Sequence, residues 1–135
     1  MFRELIRKNK QLANEECIAI LESETRGVLS VNGDNGYPYG MPMNHWYNEA
    51  DSNIYFHCGK VGHRLDALRK YNKVSFCTYD NGYRNDGEWA LNVKSVIVPN
   101  TDHLKGIPAA AAATSSCSPL RNRWTASFFQ TSSLP

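Results

Sequence analysis

The residues of this chain with the strongest chemical potential lie together in residues 54–71, IYFHCGKVGHRLDALRKY. An apolar run is followed there by a glycine-containing turn, two histidines, a cysteine and several cations, and then by a helix-like pattern. Three interpretations fit these residue types: a metal site, a phosphate-binding turn, or an ordinary polar connection between two elements. Their spacing decides how well each one fits.

A phosphate-binding turn fits the join between the predicted strand and the predicted helix. The strand ends at Cys58 and the helix begins near His63, so the first backbone N–H groups of the helix have no partners and attract anions. Gly59 and Gly62 allow an anionic ligand to approach the backbone closely. Cations follow within a few residues: Lys60, His63 and Arg64. Because neither a Walker loop nor a G-x-G-x-x-G pattern is present, a solvated basic turn remains the commoner alternative.

A metal site is disfavoured by strand geometry. His57 and Cys58 are adjacent on a predicted strand, so their side chains point to opposite faces and cannot reach one ion. His63 is the one further ligand nearby. Cys58 shares its face with Ile54 and Phe56 and is predicted to lie in the core. No Ser/His/Asp or Cys/His set is visible in the sequence.

The elements that must position this segment follow from hydrophobic periodicity and turn residues. The pattern predicts, in order, a helix over 14–23, strands over 27–31, 37–48 and 54–58, a helix from residue 63 to about 71, and strands over 73–80 and 92–98. Residues 32–36, NGDNG, form the predicted turn of a hairpin. This order favours a mostly antiparallel small barrel with one helical crossover between the strands at 54–58 and 73–80.

Three local features refine these elements. Asn14 is the predicted N-cap of the first helix. Asp66 lies four residues before Lys70, a spacing that favours an ion pair on the second helix. Pro38 and Pro42 share a parity on their strand, which predicts that the strand lies at a sheet edge or carries a bulge.

Composition points to one globular domain. The chain has 135 residues and 15.2 kDa, with 41% hydrophobic and 21% charged residues and a net charge of +2. Up to Pro99 the numbers of basic and acidic residues are equal, which argues against nucleic-acid or membrane binding. Neither a membrane helix nor a signal peptide is visible, so a cytoplasmic location is expected. The four cysteines are widely spaced and predicted to be reduced structural thiols: Cys17, Cys58, Cys77 and Cys117.

Taken together, four segments resemble a known family: ECIAILES, RGVLSVNGDNGYPYGMPMNHWYN, NIYFHCGKVGHRLDALRKYNKVSFCTYD and VKSVIV. They are similar to the pyridoxamine 5′-phosphate oxidase-like FMN-binding split barrels, in particular to the nitroimidazole-resistance branch. The match runs from about Met1 to Val98. It implies a mostly β fold with short helices, an FMN-binding split β-barrel, and a homodimer that holds FMN at its interface.

The resemblance also implies roles for individual residues. The strand around Pro42, Met43, Asn44 and His45 would lie along the flavin, and Phe56 and His57 would lie at the flavin. The pair that grips the phosphate would be His63 and Arg64. Many relatives have lysine in place of Arg64, and an arginine keeps the charge while offering a fork of donors. His57 is the candidate for substrate chemistry.

The C-terminal part departs from the family pattern. Residues 1–98 are predicted to form the barrel domain, whereas 99–135 read as an atypical tail, either disordered or a non-native continuation. This tail contains a run of five alanines and no sustained period, where relatives continue with a further strand, a helix and a final strand. A divergent or truncated C-terminus would leave the barrel incomplete.

Three functional hypotheses remain open at this point. The leading one is an FMN-dependent oxidoreductase that reduces small nitro-aromatic compounds or similar acceptors. The second is a non-catalytic flavin-binding or ligand-binding protein, or a degenerate member of the family. The third is binding of single-stranded nucleic acid through exposed aromatic residues, which the neutral charge of the barrel domain disfavours.

Overall fold

The computed structural model describes residues 6, 8–50, 52–57, 61–99 and 117–121; for 117–121 and for His57 the description is of the backbone alone. After a short 3₁₀ helix, Lys8–Lys10, the elements are α1 (Asn14–Ser23), β1 (Arg26–Asn32), β2 (Pro38–Asn48), β3 (Asn53–His57), α2 (His63–Lys70), β4 (Ser75–Tyr79), β5 (Ser95–Pro99) and β6 (Cys117–Arg121). Every helix and strand predicted up to Val98 is present, with shifts of a few residues at the ends.

The strands form one antiparallel sheet in the order β5-β4-β1-β2-β3-β6. The sheet is curled into a half-barrel, which confirms the predicted mostly β, incomplete split-barrel fold. α2 connects β3 to β4 and therefore crosses β2 and β1, as the predicted single crossover requires. Among the described residues β5 and β6 do not pair with each other, so the sheet remains open between these two strands.

The core lies between the inner face of the sheet and α1. β2 alternates as predicted, with Met41, Met43, His45 and Tyr47 buried and the residues between them exposed. Side chains that are almost completely removed from solvent come from α1 and from the three strands β3, β4 and β5: Leu21, Ile54, Phe76, Thr78, Val96 and Val98. Burial of this apolar surface is the main stabilising contribution to the fold.

Of the two predictions for β2, an edge position or a bulge, the edge position holds for the first part of the strand alone, since the strand as a whole lies between β1 and β3. The reason is that β2 changes its neighbour along its length. Residues 38–44 pair with β1, whereas residues 45–48 pair with β3. Pro38 and Pro42 both lie in the first part, which has a neighbouring strand on one side alone among the described residues. Proline has no backbone N–H group, and on the free side no ladder hydrogen bond needs one.

Two predicted local contacts are also corrected. The N-cap of α1 is Ala13, not Asn14. The Glu16 carboxylate accepts a hydrogen bond of 3.3 Å from the Ala13 N–H. The Asp66 carboxylate pairs with Arg69 at 3.4 Å instead of with Lys70. Lys70 pairs with a residue far away in sequence, which sequence spacing could not indicate.

Parts of the predicted tail belong to the sheet. Pro99 is the last residue of β5, and β6 pairs with β3 over five residues. The other residues of 99–135, like the predicted burial of Cys58, lie outside the described residues, and the prediction of an atypical tail remains a prediction. In the part of the chain that the structure describes, neither helix is long and apolar enough to cross a bilayer.

Candidate functional site

The first turn of α2 lies against the free part of β2, and this junction brings the predicted phosphate-binding residues next to the predicted flavin-binding strand. His63 contacts Tyr39, and Arg64 contacts Met41, two residues of the same face of β2. β3 ends nearby at His57, one residue after Phe56. We call the set formed by residues 38–44 of β2 and 62–64 at the start of α2 the α2–β2 junction.

The start of α2 is open to an anion. Gly62 has φ 136° and ψ 170°, a conformation that favours glycine, and a Cβ at this position would meet no atom of the described residues within 4 Å. No side chain caps this helix within the described residues. Backbone N–H groups of the first turn therefore need a partner, and an anion is a suitable one.

Arg64 is half-buried at the junction and its guanidinium group has few partners. Its Nε is buried and has no hydrogen-bond partner among the described residues. Its Nη1 lies 3.7 Å from the sulfur of Met41, a weak acceptor. A buried donor without a partner costs about 1–3 kcal/mol, so this side chain is suited to a ligand that accepts hydrogen bonds.

The side chain of His63 makes different contacts from that of its neighbour Arg64. Its Nε2 lies 3.5 Å from the Asp34 carboxylate, in the turn between β1 and β2. Its ring lies over the ring of Tyr39, with a centroid distance of 4.5 Å and an interplanar angle of 39°. The side chain is 40% exposed. The two residues predicted to grip one phosphate therefore contact different parts of β2 and its turn.

The residues predicted along the flavin divide between the two faces of the sheet. Pro42 and Asn44 are exposed on the outer face, whereas Met43 and His45 are buried in the core. Phe56, the register partner of His45, is also buried. The structure therefore places three of the predicted flavin-contacting side chains in the core, and a flavin outside the core would meet the backbone of β2 and β3 at these positions.

His45 connects the sheet to α1. Its Nε2 lies 3.0 Å from the carbonyl oxygen of Leu21. Because a carbonyl oxygen accepts, Nε2 carries the proton, and Nδ1 is left buried with no partner among the described residues. Leu21 is in the last turn of α1, where carbonyl groups have no partner within the helix. Sequence parity places His45 on the same face of β2 as Met41 and Met43, but its burial and its contact with α1 depend on tertiary packing.

Burial lowers the pKa of His45, and the hydrogen bond to Leu21 and the charge of Glu24 offset this effect in part. The folded protein therefore keeps this ring neutral at a pH where the unfolded chain binds a proton. We expect the free energy of unfolding to fall as the pH drops below about 6.5, the ordinary pKa of histidine, until the lower folded pKa is reached.

Urea unfolding between about pH 7.5 and pH 5.5 measures this dependence. The matched variant is His45→Gln, which keeps a donor towards Leu21 but does not titrate. We expect a smaller loss of stability on acidification in the variant than in the wild type. Parallel pH profiles for the two proteins would contradict the role of His45.

The two described cysteines are not primed for nucleophilic chemistry. Cys17 is buried and Cys77 is half-buried, and both are free thiols. Burial raises the pKa of each thiol, with the charges of Glu15 and Glu16 adding to the effect at Cys17. Both thiols are therefore protonated at neutral pH, and the predicted structural role fits them.

Comparison with known protein families decides the assignment of the fold. The family model described as pyridoxamine 5′-phosphate oxidase matches residues 13–126, which is more than half of the chain. The chain belongs to the pyridoxamine 5′-phosphate oxidase family. The matched range begins just before α1 and ends after β6, so it includes both α-helices and all six strands. No curated protein matches the sequence at a significant level.

Solved structures with a similar fold include three bacterial proteins. An FAD-binding protein from Mesorhizobium loti is 25% identical, with a TM-score of 0.52 over 65% of this chain and 58% of that protein. A candidate 5-nitroimidazole antibiotic resistance protein from Bacteroides thetaiotaomicron is 19% identical, with a TM-score of 0.58 over 65% and 53%. This chain thus spans little more than half the length of these two proteins.

The third structure covers more of both chains. It is an FAD-binding protein from Mycobacterium smegmatis that is 20% identical, with a TM-score of 0.62 over 90% of this chain and 98% of that protein. At identities of 19% and 20%, the last two likenesses establish the fold of this chain.

Proposed function

We propose that this member of the pyridoxamine 5′-phosphate oxidase family binds FMN and acts as a flavin-dependent oxidoreductase. The observation that carries the proposal is the start of α2, where, among the described residues, no side chain caps the helix and the buried Nε of Arg64 has no hydrogen-bond partner. Family membership and the likeness to two FAD-binding proteins support a flavin as the ligand.

The phosphate group of FMN would lie at the first turn of α2. Backbone N–H groups would donate to its oxygens, and the fork of Arg64 would donate to two of them at once. Such charge-assisted bonds would satisfy the donors that the folded chain leaves without partners. The guanidinium group of Arg64 matches one terminal phosphate group, which favours FMN over FAD in this proposal.

The ring system would lie along β2. Pro42 and Asn44 are exposed there and can contact a ligand with their side chains. Met43 and His45 would hold β2 in place from the core, and Phe56 would do the same for β3, with their peptide groups facing the flavin. The proposed role of His57 in substrate chemistry rests on the family resemblance.

A bound flavin would supply electron transfer, and this chain would supply its position and its electrostatic surroundings. We propose small nitro-aromatic compounds as acceptors, which the similar fold of the Bacteroides protein supports. Protein with dithionite-reduced flavin, mixed anaerobically with a 5-nitroimidazole, is expected to regain the yellow colour of oxidised flavin. Retention of the bleached state would favour the non-catalytic, flavin-binding alternative.

We also propose a homodimer in which the outer face of the sheet is covered by a second copy. Four apolar residues are register neighbours across β5, β4, β1 and β2 and are half-buried or exposed: Ile97, Cys77, Val28 and Pro42. Trp46, on the same face of β2, is 59% exposed. A contiguous apolar row of this kind is typical of an interface. Sedimentation of the purified protein should give twice the mass of 15.2 kDa.

Flavin binding is tested with FMN and riboflavin, which differ by the phosphate group. We expect FMN to bind more tightly and to raise the melting temperature of the protein. The Arg64→Ala variant is expected to lose at least about tenfold in FMN affinity, because hydrogen bonds to a charged group contribute about 1.5–3 kcal/mol, while riboflavin affinity changes little.

Arg69→Ala is the matched control on the same helix. Arg69 is exposed and pairs with Asp66, so its loss should leave both affinities close to the wild-type values. A wild-type protein that is purified colourless and whose melting temperature does not respond to FMN would exclude the proposed function. Equal losses of FMN and riboflavin affinity in Arg64→Ala would exclude the phosphate site.

A further inference from the structure

We propose that Arg64 is the phosphate ligand at the start of α2, and that His63 is a positioning residue which holds α2 against the turn between β1 and β2. This inference rests on the proposed function, because it divides the roles within the FMN phosphate site. It departs from the family resemblance, which implies that both side chains grip the phosphate.

The nitrogen-bearing edge of the His63 ring faces the turn. Nε2 lies 3.5 Å from the Asp34 carboxylate. Cε1, the atom between the two ring nitrogens, would lie 3.5 Å from a Cβ built at Gly33. The edge that carries Nδ1 and Nε2 is therefore directed to residues 33–34, and Tyr39 covers one face of the ring.

The charge around His63 opposes a phosphate contact. A phosphate dianion that shared Nε2 with Asp34 would place two anionic groups close together, and like charges at such separations repel. Arg64 lacks this obstacle, because none of the described carboxylates lies within ion-pair distance of its guanidinium group. Its contact with the sulfur of Met41 is weak enough to be exchanged for a phosphate oxygen.

Asp34 connects both ends of α2 to the turn. His63 is the first residue of the helix and Lys70 is the last, and the Asp34 carboxylate lies 3.5 Å from each. Both pairs are solvent-exposed, so each contributes little to stability. Their geometric effect is larger, because the ring of His63 packed on Tyr39 places the next residue, Arg64, over β2.

Two substitutions of the same residue separate positioning from direct binding. His63→Ala removes the ring and its packing on Tyr39, and we expect FMN affinity to fall at least about fivefold while riboflavin affinity stays within about twofold. His63→Phe keeps a ring on Tyr39 but has no nitrogen, and we expect it to restore FMN affinity to within about twofold of the wild type.

The outcomes are distinct. Loss of FMN affinity in both variants at unchanged riboflavin affinity would overturn the inference, because a nitrogen of His63 would then bind the phosphate. Unchanged FMN affinity in His63→Ala, or equal losses of FMN and riboflavin affinity, would also overturn it. Riboflavin affinity reports the folded state of each variant. Failure of the wild type to prefer FMN would instead exclude the proposed function.

Discussion

Replacing Phe56 with alanine is expected to lower the free energy of unfolding by about 3–5 kcal/mol. Phe56 is 4% exposed, and its ring lies 4.9 Å from the ring of Phe76, which is completely buried. His45 packs against the same Phe76 ring at 4.9 Å. Truncation of Phe56 would leave a cavity in the middle of this aromatic cluster, because residues on three strands of one sheet, β2, β3 and β4, cannot collapse into it.

Urea unfolding measures this loss, and Tyr79→Ala is the control. Tyr79 is 53% exposed on β4, so its truncation should cost far less. Phe56→Leu adds a test of function, since it preserves much of the volume. If Phe56 serves the core alone, FMN affinity in this variant stays near the wild-type value. A clear loss of FMN affinity at retained stability would show that Phe56 contacts the flavin.

Gly27→Ala is expected to destabilise the protein by about 1–3 kcal/mol or more, because the new methyl group has no space. A Cβ at this position would collide with the carbonyl oxygen of Cys77 and would lie 2.5 Å from the Phe76 ring. Gly27 is in β1 and is the register partner of Met43. Relief of the clash would require β1 to move away from β4, which disturbs the centre of the sheet.

Gly40→Ala is the matched control on the neighbouring strand. A Cβ at Gly40 would meet its nearest atom, in the side chain of Val28, at 3.4 Å, an ordinary contact. The variant should be neutral or more stable by up to about 1 kcal/mol, because alanine restricts the unfolded chain. Thermal and urea unfolding of both variants check the pair. Similar stabilities for Gly27→Ala and Gly40→Ala would contradict the packing around Gly27.

Most of the fold follows from local patterns in the sequence. The residues of β2 alternate in the sequence between two faces, and the structure buries one of these faces, because a strand with one face in the core must alternate with period two. The turn after β1 was predicted from its residues, and the structure has Asn35 and Gly36 at positive φ. In both cases the residues that determine the local structure lie within a few positions of it in the sequence.

Contacts between elements could not be predicted in this way. The neighbours of β2 change at His45, so the two prolines that suggested an edge strand lie in the part of β2 that has one neighbouring strand among the described residues, although the whole strand lies between β1 and β3. Lys70 was expected to pair within its helix, but its Nζ lies 3.5 Å from the carboxylate of Asp34, in the turn between β1 and β2. Exposed charged side chains are flexible and select a partner by proximity, which depends on how the elements pack.

The candidate site shows the same division. The sequence by itself determined that a strand, a glycine-containing turn and a cationic helix start follow one another, because propensity and periodicity are local properties of the chain. Only the tertiary structure decided that His63 faces Asp34, while the buried Nε of Arg64 has no partner in the part of the chain that the structure describes. The physical reason is that hydrogen bonds and ion pairs require atoms within a few ångströms, and the packing of α2 on the β1–β2 hairpin sets those distances.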